Sequence, residues 1–302
     1  MRPSLRADLA LLGVSIVWGA TFPVMKIALV DASPLVYLVL RFLVALSFCV
    51  PLLGAFRARP SGAELAAGAC LGLLLAGSFA SQTLALRAIE PARSAFLTSL
   101  YVIFVPVVSI PVLRRAPRAG TWAGVVLALS GLLLMTWEGS GPGFRTADLM
   151  TIGSALGFAL HIVGVGWLTL RYAPDRLFVL QIAAATVFLA VLVPLEVPRL
   201  VPSGSLVLAV LITGGLATAA AFLVQNRVQR RTSPSRAALV FALEPVFALL
   251  ASVVLMGRTG LSPGEAGGAL LIVTGLLVAE AHARRAEGKS SFRAAAGGDG
   301  TE

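Results

Sequence analysis

FLVQNRVQRRTSPSRAALVFALEPVF, residues 222–247, recurs in weaker form at residues 79–104 as FASQTLALRAIEPARSAFLTSLYVIF. At an offset of 143 without a gap, Gln82 falls on Gln225, Arg87 on Arg230, Pro91 on Pro234, Arg93 on Arg236 and Leu100 on Leu243. The chain is therefore a duplication. The copies part at one telling place: Glu244, set in an apolar run and followed by Pro245, stands where the earlier copy has Tyr101.

The composition says what kind of duplication this is. Hydrophobic residues make up 58% of the chain and charged residues 13%, about half the proportion usual in soluble domains. Ten apolar runs, at about residues 8–29, 33–53, 63–86, 91–113, 119–137, 148–170, 175–195, 205–227, 234–256 and 263–283, approach or exceed the roughly 20 residues that cross a bilayer. The expected fold is all-α and integral to the membrane, with ten transmembrane helices. The first run is too long for a signal-peptide core and has no convincing cleavage site, so it reads as a retained span.

The repeat extends beyond the opening stretch. At an offset of 140, Asp8 falls on Asp148, Gly13 on Gly153, Pro34 on Pro174 and Arg41 on Gln181; at 144, Gly120 falls on Gly264 and Gly131 on Gly275. Each copy then holds five helices. Because five is odd, the second must enter the membrane from the opposite side, as inverted repeats do. The expected organisation is a five-helix repeat over residues 1–142, an inverted five-helix repeat over 143–288 and a disordered cytoplasmic tail over 289–302.

The formal charge of +10 is spread through short loops between apolar runs, which speaks for membrane topology and against nucleic acid. With the N-terminus placed in the cytoplasm, seventeen of the twenty-four Lys and Arg fall on the cytoplasmic side, so both termini are expected there. Cys49 and Cys70 lie within apolar runs and read as small hydrophobes; two thiols are too few for a closed metal shell. Glycines one turn apart, such as Gly68 and Gly72 or Gly120 and Gly124, mark close helix packing.

The residues able to carry chemistry are few. Glu244 is the acid nearest the middle of a predicted span, where a carboxylate costs about 3 kcal/mol and must face protein, water or a cation. Arg41, well inside the second span, either pairs with Glu244, binds a substrate carboxylate or snorkels outwards. Lys26 continues a stripe with Trp18 and Phe22 at i, i+4 and i+8. Ser94, Thr98 and Tyr101 share a polar face, His161 lies mid-span, and Gln82 and Gln225 are repeat-related candidates for a cavity rim. Each has a plainer reading as a helix contact. The candidate substrate or coupling set is Glu244, Tyr101, Trp18, His161, Arg41, Lys26, Gln82 and Gln225.

Trp18-Gly19-Ala20-Thr21-Phe22 followed by Lys26, Arg41-Phe42, the Gln82 segment before Pro91, and Leu243-Glu244-Pro245-Val246-Phe247 together resemble the drug/metabolite transporter superfamily, specifically its EamA-type ten-helix exporters. The resemblance covers about residues 7–284. It implies a central cavity formed largely by the first, third, fourth, sixth, eighth and ninth helices, with Trp18, Tyr101, His161 and Glu244 on lining helices. It also implies export of small metabolites, often amino acids, across a bacterial cytoplasmic membrane. The second copy departs from the pattern, with Phe158-Ala159 for the Trp-Gly pair and Gln181 for the arginine.

The leading expectation is thus a secondary transporter working by alternating access, with Glu244 as the candidate for proton coupling. Its partners would be a small-molecule substrate and the lipid bilayer, with no nucleic acid and no cofactor, in a monomer or homodimer. A sugar or drug-like cation carrier of the same fold, or a scaffold that transports nothing, are the alternatives. An intramembrane enzyme is disfavoured, because the chain has two histidines and neither HExxH nor a Walker lysine loop.

Overall fold

The computed structural model describes residues 3–56, 59–114, 116–136, 145–257 and 260–296. The expected repeat boundary at 142/143 and the basic residues Arg2, Arg57, Arg115 and Arg258 lie outside them. Helices occupy all ten apolar runs in order, and one isolated antiparallel bridge, Ala32 with Leu200, is the only β-pairing among the described residues. The first half contains α1 (Pro3–Ala28), α2 (Pro34–Ser47) with a 3₁₀ turn at Val50–Phe56, α3 (Gly62–Leu86), α4 (Pro91–Thr98), α5 (Tyr101–Leu113) and α6 (Ala119–Thr136). The second contains α7 (Thr146–Leu168), α8 (Pro174–Leu192) and α9 (Gly204–Leu211), the last running through a π-helical stretch at Ile212–Ala220 into α10 (Ala221–Gln229). It closes with α11 (Pro234–Phe241), α12 (Glu244–Met256) and α13 (Pro263–Ala296). Pro34, Pro91, Pro174 and Pro234 each open a helix, where a missing N–H costs nothing.

Not every run is a full crossing. Among the described residues seven helical stretches are long and apolar enough to span a membrane, and an eighth is added if α2 and the 3₁₀ turn, bent by 61°, count as one. The apolar parts of α6 and α13, Ala119–Leu134 and Pro263–Ala279, are shorter. Sixteen or seventeen residues at 1.5 Å each reach about 25 Å, less than the roughly 30 Å of hydrocarbon. The expected ten transmembrane helices are therefore seven or eight by length. α13 is helical through Ala296, in keeping with the good helix formers Ala, Arg, Glu and Lys that fill it, and residues 297–302 of the tail expected to be disordered lie outside the described residues.

Side-chain contacts fix which helix ends lie together. Lys26 Nζ, at the end of α1, donates to the carbonyls of Leu86, Arg87 and Ile89 (2.7, 3.1 and 3.0 Å), capping the end of α3. Glu196, after α8, accepts from the Leu35 and Val36 amides at the start of α2 (2.9 and 3.2 Å). Arg93 at the start of α4 binds Asp148 at the start of α7. The opposite end gathers Asp8 of α1 with Arg236 of α11, Glu64 of α3 with Arg176 of α8, and Asp175 of α8 with Arg227 of α10. Hence α1 and α7, which open the two halves, start from opposite ends of the bundle.

Large apolar side chains cover the outside, Val187, Val191 and Val254 among them, as lipid-facing surface requires. Inside, small residues bring backbones together. An ideal Cβ on Gly124 would stand 2.7 Å from the Gly275 carbonyl oxygen, and one on Gly275 would stand 2.7 Å from that of Gly124, so α6 and α13 meet through reciprocal glycines. On α3, a Cβ at Gly72 would approach the Gln181 carbonyl oxygen to 2.6 Å, whereas Gly77 faces open space. Gly72→Val should therefore destabilise the detergent-purified protein by about 1–3 kcal/mol through overpacking, seen as a lower melting temperature. Gly77→Val on the same helix should melt as the wild type does.

Candidate functional site

The two halves are interrupted at matched places. Between α4 and α5 the amides of Leu100 and Ile103 bond back three residues, to Leu97 and Leu100; between α11 and α12 those of Leu243 and Val246 do the same, to Val240 and Leu243. These positions are related by the 143-residue offset, so both copies carry one tightened turn in mid-helix. Pro245, which has no N–H, occurs only in the second copy; in the first the Val102 amide bonds to Ser99, and the turn forms regardless. Each interruption puts a polar residue at the positive N-terminal end of the next helix, Tyr101 on α5 and Glu244 on α12. The two meet: the Tyr101 hydroxyl donates to Glu244 Oε1 at 2.9 Å, with both side chains buried.

Gly19 sets this geometry from the other side. A Cβ there would lie 2.4 Å from the Glu244 carbonyl oxygen and 2.7 Å from Phe247 Cβ, so only glycine lets α1 pack against the start of α12. Trp18, its neighbour, donates its indole N–H to the Ala217 carbonyl at 2.8 Å and packs on Phe222 and Phe241, each with ring centroids 4.9 Å away.

These side chains surround a central cavity of about 40 Å³, where one water needs about 10–15 Å³. Twelve of its fifteen lining residues come in repeat-related couples. They are Trp18 with Phe158, Thr21 with His161, Phe22 with Ile162, Phe79 with Phe222, Gln82 with Gln225, and Tyr101 with Glu244. Phe79 and Phe222 touch edge to face at 6.0 Å, as Tyr101 and Glu244 touch through their hydrogen bond. The axis relating the halves therefore passes through the cavity. Met25, Arg41 and Thr98 are the three lining residues without a lining counterpart.

Of the eight residues singled out from the sequence, seven line this cavity: Trp18, Arg41, Gln82, Tyr101, His161, Gln225 and Glu244. Lys26 does not; its ammonium is committed to the three carbonyls at the end of α3. Arg41 neither snorkels nor pairs with Glu244: it is 1% exposed and bonds Thr218 Oγ1 at 2.7 Å. His161 Nε2 lies 2.7 Å from Gln181 Oε1. Gln82 donates to Thr98 Oγ1 at 2.8 Å and Gln225 to Gln229 Oε1 at 2.9 Å, so both are helix contacts as well as lining groups. The phenylalanines Phe79, Phe158 and Phe222 went unrecognised as lining residues because phenylalanine is unremarkable in an apolar run.

Two ion pairs, also missed, join the halves at opposite ends. Arg93 reaches both carboxylate oxygens of Asp148 (2.8 and 2.9 Å), and Arg236 reaches both of Asp8 (3.0 and 2.6 Å). Each is a bidentate fork. Asp8 and Asp148 are related by the 140-residue offset, Arg93 and Arg236 by 143, so the pairs are reciprocal: each half supplies one acid and one arginine. The signal was in the repeat itself, since all four residues sit at matched positions.

A helical bundle with an outer surface of apolar side chains, an internal two-fold repeat and, on its axis, a buried and mostly apolar cavity holding a few polar groups is that of a multi-pass membrane transporter. The model of the EamA-like transporter family matches the chain twice, over residues 5–137 and 145–280, and the chain belongs to that family. A protein of Archaeoglobus fulgidus described as an uncharacterized transporter is 30% identical over 274 residues, covering 91% of this chain and 85% of that one. A solved crystal structure has the same fold, with a TM-score of 0.78 at 22% identity over 95% of this chain and 100% of the other.

Asp148 is fully buried and also accepts from the Arg145 amide at 2.9 Å, but its partner Arg93 is 36% exposed; the Asp8 and Arg236 side chains are each 20% exposed. Asp148→Asn leaves a solvent-reached Arg93 and weakens the bond from the Arg145 amide, so it should cost about 1–2 kcal/mol. Asp8→Asn should cost nearer the ~1 kcal/mol of solvent-reached pairs. Melting of the two variants in detergent checks that both losses are of this size; a loss of several kcal/mol in either would overturn it.

Proposed function

We propose that the protein is a secondary transporter that exports small polar or amphipathic metabolites by alternating access. The carrying observation is the cavity lined in repeat-related couples, because a site on the axis between two similar halves is reached from either side by the same rocking motion. In this reading the halves are inverted five-helix repeats over residues 1–142 and 143–288. The short apolar parts of α6 and α13 and the bent α2 complete ten passages. The membrane is a bacterial cytoplasmic one with both termini inside, in keeping with the arginines at the Asp8 end, among them Arg171, Arg176, Arg227, Arg230, Arg231 and Arg236.

At about 40 Å³ the cavity holds a few waters, so a metabolite enters only if the helices part. The reciprocal ion pairs are placed to govern that parting. Breaking Arg93–Asp148 frees one end while Arg236–Asp8 holds the other, and the reverse step opens the opposite end. Glu244 is the coupling group: gaining a proton weakens its charge-assisted bond with Tyr101, which joins the halves at the cavity.

Two measurements in proteoliposomes test this. Arg93→Cys with Asp148→Cys, or Asp8→Cys with Arg236→Cys, in a background lacking Cys49 and Cys70, should each lose flux when bridged by a cleavable bismaleimide and regain it on cleavage. Flux indifferent to both bridges would sink the gating scheme. Glu244→Gln should fold and lose pH-driven flux by at least about tenfold, the loss of at least 1.4 kcal/mol of driving interaction. An unchanged pH dependence removes Glu244 from coupling.

A further inference from the structure

The three residues that break the cavity's symmetry include its one buried guanidinium. Arg41, on α2, lines the cavity, yet no carboxylate of the described residues lies within ion-pair distance of it. Its neighbours are neutral: Nε donates to Thr218 Oγ1 at 2.7 Å, Nη1 approaches Met25 Sδ at 3.1 Å, and the guanidinium carbon lies 4.4 Å from the centre of the Phe79 ring. A thioether is a weak acceptor, and a guanidinium presents five N–H donors in a planar fork. A buried cation kept without a counter-charge is costly, and an anion that completes the pair recovers that cost.

The surroundings are built around this group. Thr218 belongs to the π-helical stretch Ile212–Ala220, a rare conformation that clusters at functional sites. Its hydroxyl donates to the Thr213 carbonyl five residues back (2.8 Å), which turns the oxygen's lone pair to Arg41. Thr213 in turn accepts from the Tyr37 hydroxyl at 2.8 Å. Gly214, in the same stretch, brings the π turn against α2: a Cβ there would stand 2.6 Å from the Arg41 carbonyl oxygen. The equivalent of Arg41 in the other half, Gln181, lies outside the cavity and is engaged by His161.

We infer that Arg41, held by Thr218, is an anion subsite that takes the carboxylate of the transported molecule, whose apolar or aromatic body lies against Phe79, Phe158 and Phe222. This rests on the transport reading and deepens it by naming a substrate class, organic carboxylates. The incoming carboxylate displaces the Met25 sulfur and meets the fork in two parallel N–H···O bonds, the geometry that arginine supplies and lysine does not.

Simple aromatic probes test this whatever the natural substrate is. Purified protein is melted with 3-phenylpropionate, 3-phenylpropionamide or phenethylamine, which share a body and differ in the head. The carboxylate should stabilise at concentrations at least about tenfold below those the amide needs. Arg41→Gln should abolish that preference, and Arg41→Lys should keep it only in part. Equal shifts from all three probes, none from the carboxylate, or an Arg41→Gln protein that still prefers the carboxylate each overturn the subsite. The wild-type comparison decides even if Arg41→Gln does not fold. Carboxylate binding without flux in proteoliposomes leaves the subsite standing and overturns transport; flux of neutral compounds unaffected by Arg41→Gln does the reverse.

Discussion

The hydrogen bond from the Tyr101 hydroxyl to Glu244 joins one residue to its own repeat counterpart, and that can happen only on the axis that relates the halves. Much of the architecture can be traced to this contact. It requires both helices to be interrupted at the same register, so that each polar residue sits at a helix start rather than on a continuous wall. It requires a glycine at position 19, because the α12 backbone carrying Glu244 lies against α1 with no room for a Cβ. It also places the buried acid in the mostly apolar cavity that both halves line.

Around that point the halves hold each other by exchange. Arg93 of the first takes Asp148 of the second, and Arg236 of the second takes Asp8 of the first, at opposite ends of the bundle. Aromatic contacts follow the same logic nearer the centre, with Phe79 against Phe222 and Trp18 against Phe222. The two ends are chemically alike but not equal, since Asp148 is fully buried and Asp8 is reached by solvent. Arg93, however, is 36% exposed, so neither pair is fully desolvated and each contributes as a solvent-reached pair does.

Much of this was legible in the sequence because it is a matter of counting. The offset of 143 relates Gln82 to Gln225 and Tyr101 to Glu244, two of the six couples that line the cavity, apolar run lengths identify the helices, and the placement of Glu244 in an apolar run marks it as anomalous. What was not legible is what depends on direction in space. Lys26 continues the Trp18 and Phe22 stripe by spacing, yet the cavity ends before it and its ammonium caps α3. Arg41 was assigned three fates by its depth alone; its partner Thr218 lies 177 positions away on a π turn that no local pattern announces. Run length also does not settle how many helices cross in full: the apolar parts of α6 and α13 are short, and their reciprocal glycines hold them to each other.

Duplication gives such a protein a symmetric frame, and symmetry alone cannot tell one substrate from another or one direction from the reverse. The chemistry must come from the positions where the copies differ. At the cavity those are Thr21 against His161, Tyr101 against Glu244, and Arg41 against a Gln181 that faces elsewhere. Each difference sets an imidazole, a carboxyl or a guanidinium where the counterpart is a hydroxyl, a phenol or an amide, and all three then share one small apolar chamber. Apolar walls make each interaction stronger than it would be in water, and make each unmatched charge more expensive. A cavity of this kind favours an occupant that neutralises its charges. In the transport reading proposed above, specificity comes from drift in the repeat, and the symmetry that the remaining couples retain is what would let one site face both ways.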